Sequence, residues 1–136
     1  MKMLIDLPGG ARVDAHFNGF TVMTDQTAAG GGENSAPAPF DYFLASMGTC
    51  AGIYISGFCR SRGIPTDNIR IIQHNEFDPT THMLTKVNFD IQLPPDFPER
   101  YKAAVIRSAE MCKVKKTLEN PPAFEISTSI LDPVPA

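Results

Sequence analysis

The stretch Asp41–Arg60 reads DYFLASMGTCAGIYISGFCR, and it decides the fold. Between its two ends no residue carries a formal charge, so the run is expected to be buried. Phe40, Phe43, Leu44, Met47, Ala51, Tyr54 and Phe58 recur three or four apart, which a helix turns into one apolar stripe. Cys50 falls in the same series, between Met47 and Tyr54. Pro39 suits the first helical turn, where its missing N–H costs nothing, and Gly63 and Pro65 stop the helix. A helix over 39–62 is therefore expected. Ser46, Gly48, Thr49, Gly52, Ser56 and Gly57 dilute it, and its apolar part is shorter than the roughly 20 residues a bilayer needs. The expectation is a central core helix, with no membrane partner.

Ahead of that helix, residues 1–27 read as a three-stranded antiparallel meander. Pro8-Gly9-Gly10 marks one turn, and Asn18-Gly19 supplies the dipeptide best suited to a tight hairpin. Residues 28–38 are rich in Gly, Ala, Ser and Pro, lack periodicity and form a loop. Beyond the helix, 68–94 alternates in two runs around the turn-like Asp78–His82, a β-hairpin. Residues 98–113 read as a second amphipathic helix ending near Cys112, and Lys113–Asn120 as a basic connector. Phe124, Ile126, Thr128 and Ile130 alternate, so 123–131 is expected to be a closing strand. That order makes 1–136 a single α+β domain, antiparallel sheets around a long central helix.

Composition narrows the function. A net charge of -3 gives no basic footprint, which argues against nucleic acid as a partner. No basic-then-apolar signal peptide opens the chain, and 3 cysteines in that setting suggest a reducing, cytoplasmic compartment rather than a disulfide scaffold. No two cysteines have metal-ligand spacing, and His16, His74 and His82 have none to one another, so no metal is expected. Nothing places a histidine beside Cys50 as a cysteine protease would require. Gly30-Gly31-Gly32 lacks the strand and the Lys-Ser/Thr of a phosphate loop. Cys50 and Cys59 lie on opposite sides of one helix and cannot pair while it is intact. Cys112 can meet Cys50 if the two helices pack; the commoner fate of such thiols is plain core filling.

Two segments resemble a known family. Ala38-Pro39-Phe40-Asp41-Tyr42-Phe43-Leu44-Ala45-Ser46-Met47-Gly48-Thr49-Cys50 is similar to the proline-to-cysteine signature of the OsmC/Ohr superfamily of osmotically inducible and organic hydroperoxide resistance proteins. Ala109-Glu110-Met111-Cys112-Lys113-Val114-Lys115-Lys116-Thr117-Leu118 resembles its second cysteine motif. The resemblance implies the OsmC-like fold, an interlocked homodimer with active sites at its interface, and a thiol-dependent peroxidase. Cys50 would attack an organic hydroperoxide and become a sulfenic acid, and Cys112 would resolve it as a disulfide. An external dithiol, in this family typically a lipoyl group, would reset the pair, with no bound cofactor. The alternative is a non-catalytic OsmC-like module that senses redox state or binds a small apolar ligand. Met47, Phe43, Tyr54 and Phe58 are candidates to line an apolar pocket.

Physical chemistry adds a demand. At an ordinary pKa near 8.5 only about 3% of a thiol is thiolate at pH 7, and moving it to about 6 takes roughly 3.4 kcal/mol of interaction with the anion. Burial pushes the other way. Cys50 is mid-helix, so its own helix N-terminus offers little, and a cation from elsewhere in the fold is expected. The family uses an arginine of the N-terminal strand region, steadied by a glutamate at the start of the central helix. Arg12 is the best counterpart of the arginine. The glutamate position holds Phe40, and the adjacent Asp41 is turned by about 100° on a helix. Lys113 stands where the family usually has proline.

Overall fold

A computed structural model describes residues 1–132. Strands β1 (Leu4–Gly9), β2 (Arg12–Phe17) and β3 (Phe20–Thr24) form an antiparallel sheet in that order. Phe17 pairs with Phe20 across Asn18–Gly19, whose φ values of 49° and 80° are ones that Asn and Gly tolerate and a tight hairpin requires. Helix α1 spans Pro39–Ser61, and β4 (Arg70–Phe77) and β5 (Leu84–Gln92) form a second antiparallel sheet. A 3-10 turn at Glu99–Tyr101 leads into α2 (Lys102–Glu110), and α3 (Lys113–Glu119) follows. The α+β class with antiparallel sheets agrees with the sequence pattern.

Local chemistry fixes both ends of α1. Pro39 sits in the first turn, and the Asp41 carboxylate accepts the Ala38 backbone N–H at 3.0 Å. At the other end Gly63 adopts φ 66°, so that Gly63 N–H reaches Arg60 O at 3.2 Å and Ile64 N–H reaches Cys59 O at 2.9 Å. That is a Schellman ending, and Ile64 folds back onto the core.

The core collects Ile55 and Cys59 of α1, Val105 of α2 and Phe97 from the segment before the 3-10 turn, with Ile71 and Ile91 from the second sheet, and Ile69 just ahead of it, packed against it. The buried line of α1 runs Met47, Ala51, Ile55, Cys59. It departs from the expected stripe at its C-terminal end, where Tyr54 is exposed and Phe58 only half-buried. Both faces of α1 are apolar there, and a spacing of four carries the line from Ala51 to Ile55 and Cys59.

Three expectations are corrected. The second helix stops at Glu110, so Cys112 does not close it; Cys112 is the N-cap of α3. Lys113–Asn120 is mostly helix rather than connector, with Val114 and Leu118 one turn apart. Residues 123–131 form no strand: in one chain no edge pairs with them, and Phe124, Ile126 and Ile130 stay 85%, 96% and 95% exposed.

The N-terminal sheet is tied to the helical part at its end. Tyr42 Oη donates to Met23 O at 2.7 Å, and Asp25 N–H donates to Pro37 O at 3.2 Å. Buried Asp25 organises the loop that follows, accepting backbone N–H groups from Gln26, Glu33 and Ser35 and the Ser35 hydroxyl at 2.6 Å. Those donors hold its carboxyl down at about 2.

Candidate active site: a paired thiol

Helix α1 packs against both α2 and α3, and the break at Met111–Cys112 turns the chain so that α3 starts beside the middle of α1. A short loop, rather than a continuous helix, therefore presents Cys112 and its two followers to Cys50. The groups that bear on the Cys50 thiol are Cys112 and the two residues that follow it, Lys113 and Val114. The Cys112 thiol is buried, at 3% exposure, and lies 3.9 Å from Met47 O.

The two sulfurs are pushed apart in acidity. Burial raises the Cys50 pKa, but the Val114 N–H, the Cys112 thiol, and the N–H and ammonium of Lys113 together outweigh it, and the net displacement is downward. For Cys112, burial is again the largest influence; the N–H groups of Lys115 and Val114 oppose it, the neighbouring Cys50 adds to it, and the net displacement is upward. Cys50 is also only half-buried. The pair thus divides into a half-buried sulfur whose pKa is lowered and an enclosed one whose pKa is raised.

Cys59 takes no part. It is fully buried in the core, where the loss of water raises its pKa. Arg12 lies at the start of β2, its Nη2 3.4 Å from Asp14 Oδ2. Asp14 is buried, and its second oxygen, Oδ1, has no hydrogen-bond partner. The charge among the influences that lower the Cys50 pKa is that of Lys113, the smallest of them. Asp41 is occupied with capping α1, and the Phe40 ring lies tilted against that of Phe43, centroids 5.3 Å apart.

Beside Cys112 an apolar cavity of about 630 Å³ opens between α1, β5, α2 and α3. Of the aromatic and apolar residues the sequence offered as a pocket lining, only Met47 borders it; Val87, Phe89, Val105 and Leu118 supply most of the rest. Phe58 instead packs edge-on against Tyr101, ring centroids 5.8 Å apart.

Two sequence signals for this site were readable and two were not. The cysteines and their contexts stood out. The influence of Lys113 and Val114 on Cys50 did not, because no glycine, proline or usual capping residue marks the break before α3.

An α+β domain in which a long helix and a following helical turn bring two thiols together defines a class of protein. The model of the family described as OsmC-like protein matches residues 31–127, and the chain belongs to that family. Among solved structures it is similar to a putative osmotic stress induced and detoxification response protein from Psychrobacter arcticus 273-4. That likeness has TM-score 0.74 at 18% identity, over 86% of this chain and 87% of that one. It is also similar to an OsmC like protein from Mycoplasma pneumoniae, with TM-score 0.69, 13% identity and coverage of 88% and 87%. A third is an organic hydroperoxide resistance protein OsmC, described as a predicted redox protein and regulator of sulfide bond formation, from Legionella pneumophila. There the TM-score is 0.56 and the identity 15%, over 87% of this chain and 89% of that one. These likenesses establish the fold. No curated protein matches the chain.

Proposed function

We propose that the protein is a thiol-dependent peroxidase for organic hydroperoxides, acting in oxidative-stress defence. The observation that carries this reading is a half-buried Cys50, its pKa held down by Val114, Cys112 and Lys113, where α1 packs against α3 beside the buried Cys112. The Cys50 thiolate attacks the terminal oxygen of ROOH. The O–O bond breaks, the alkoxide leaves with the electron pair and is protonated to the alcohol, and Cys50 becomes a sulfenic acid. Cys112 then attacks that sulfur; the S–O bond breaks, water departs with the Cys112 proton, and a disulfide remains. An external dithiol, in this family typically a lipoyl group, restores both thiols and is itself oxidised. The apolar cavity supports a substrate with an apolar organic group. The redox cycle suits a reducing compartment, for which we propose the cytoplasm.

The working unit in this reading is a homodimer, supported by the apolar residues one protomer leaves bare on β1 and on residues 123–131. Arg12, on the N-terminal sheet, is assigned a supporting charge in the assembled dimer, its guanidinium steadied by Asp14. The test is a titration of the reduced protein with cumene hydroperoxide, counting free thiols. Rapid loss of two thiols per chain, abolished in Cys50→Ser, is expected. Loss no faster than from a small-molecule thiol would reject catalysis. The same result would favour a second reading, a redox-sensing or apolar-ligand-binding module, for which the cavity and the Phe40 substitution speak.

A further inference from the structure

The cavity between α1, β5, α2 and α3 meets one of the two thiols and not the other. Cys112 stands in its wall, and Cys50 does not border it. At about 630 Å³ it falls within the roughly 300–1,000 Å³ of small-molecule sites. Met47, Ala51, Val87, Phe89, Val105 and Leu118 give it apolar walls. The charges at its edge, Asp90, Lys102, Glu110 and Lys115, are exposed and of both signs, and Lys102 is held by Glu99 at 2.6 Å. Such a cavity favours a neutral apolar chain over a charged one. We propose that it is the entry of the reductant: a neutral dithiol on an apolar chain lies in it, and its thiolate attacks Cys112 rather than Cys50. The inference rests on the peroxidase reading, which supplies the Cys50–Cys112 disulfide.

Thiol–disulfide exchange is decided by access to each sulfur and by which sulfur leaves more readily. The attacking sulfur approaches along the S–S axis, from the side away from the leaving atom. A chain seated in a cavity that Cys112 borders and Cys50 does not comes at Cys112 in that way. Elsewhere Cys112 is closed off, at 3% exposure. The first thiolate of the reductant bonds to the Cys112 sulfur, the Cys50–Cys112 bond breaks, and Cys50 departs with the electron pair as thiolate. Cys50, with the lowered pKa, is the better leaving group of the two. The second thiol of the reductant then loses its proton and attacks the reductant sulfur of the mixed disulfide. That bond breaks, and Cys112 leaves and takes up the proton. The reductant ends as an internal disulfide, oxidised by two electrons, and both cysteines are thiols again. Hydroperoxide and reductant enter at different stages, so one cavity serves the apolar part of each.

The test starts from protein oxidised with diamide, its Cys50–Cys112 disulfide verified by peptide mass, so that no peroxide is involved. It is treated with a limiting amount of hexanethiol or ethanethiol and quenched with acid, and free thiols are blocked with N-ethylmaleimide. Expected is the hexyl adduct on the Cys112 peptide and the maleimide on the Cys50 peptide, in about tenfold excess over the reverse. Hexanethiol should react about tenfold faster than ethanethiol, because its longer chain is buried in the cavity. Ala109→Leu and Leu118→Trp, the latter at a position 50% exposed, narrow the cavity and should each remove most of that advantage. Adducts mainly on Cys50, equal rates for the two thiols, or a chain-length advantage that survives both substitutions would overturn the proposal. Failure of diamide to join the two cysteines would overturn it as well. Hexyl adducts on Cys112 in a protein that leaves cumene hydroperoxide untouched would defeat the peroxidase reading and leave the cavity its role. Rapid peroxide consumption with adducts on Cys50 would do the reverse.

Discussion

The two thiols are set apart by environment: Val114, Cys112 and Lys113 lower the pKa of half-buried Cys50, and burial raises that of Cys112. If Cys112 acts only after the O–O bond has broken, Cys112→Ser should still lose one thiol per chain to cumene hydroperoxide. A dimedone adduct on the Cys50 peptide should mark the trapped sulfenic acid. Serine can still donate to the thiolate and alanine cannot, so Cys112→Ala should start about threefold slower than Cys112→Ser. Equal rates would take the Cys112 thiol out of the activation of Cys50. Asp25 gives a second test at this scale. Its folded pKa, about 2, lies below the ordinary 3.8, so its contribution to stability is complete above 3.8 and is lost as the pH falls toward 2. Asp25→Asn should flatten the fall of the urea midpoint over that window. A mutant curve parallel to the wild type would show that the acid loss comes from elsewhere.

The approach of α1 to the second sheet is set by one small residue. A Cβ at Gly48 would collide with Gln73 Oε1, while Gln73 Nε2 donates to Leu44 O and Asn75 Oδ1, both at 2.9 Å. An unobstructed Gly→Ala change inside a helix gains up to about 1 kcal/mol. Here Gly48→Ala should cost about 1 kcal/mol instead, because the amide must leave two hydrogen bonds. In a Gln73→Ala background the same substitution should turn stabilising, a coupling that urea midpoints of the four proteins measure. Additive effects would mean that Gln73 moves aside freely. Much of this layer was legible in the sequence: proline, the uncharged run and Gly63 bracketed α1, and Asn18-Gly19 announced its hairpin. The start of α3 was not, since Lys113, Lys115 and Lys116 masked the Val114–Leu118 pair and no turn residue precedes Cys112.

On the scale of the molecule, apolar surface is distributed in a way one protomer does not explain. Leu4, Ile5 and Leu7 on β1 are 60%, 53% and 78% exposed, and Phe124, Ile126, Ile130 and Leu131 on the tail are each at least 85% exposed. The alternation that suggested a strand at 123–131 is genuine in the sequence, but a strand forms only on an available edge, and alternation says nothing about which chain supplies it. Bare apolar segments of this extent are characteristic of surfaces buried by association. If a second copy covers them, folding and assembly are linked. Each tenfold dilution should then lower the unfolding free energy per dimer by about 1.4 kcal/mol, and the melting temperature should fall with concentration. Replacing Ile126 and Ile130 together by Asp puts two charges where apolar contact is expected. That variant should sediment as a monomer, or melt well below the wild type at equal concentration, with the Cys50–Cys112 contact inside each protomer still able to form. A melting temperature independent of concentration, together with a sedimentation coefficient unchanged by the two substitutions, would leave the exposed tail without a partner copy and remove the dimer from the proposed mechanism.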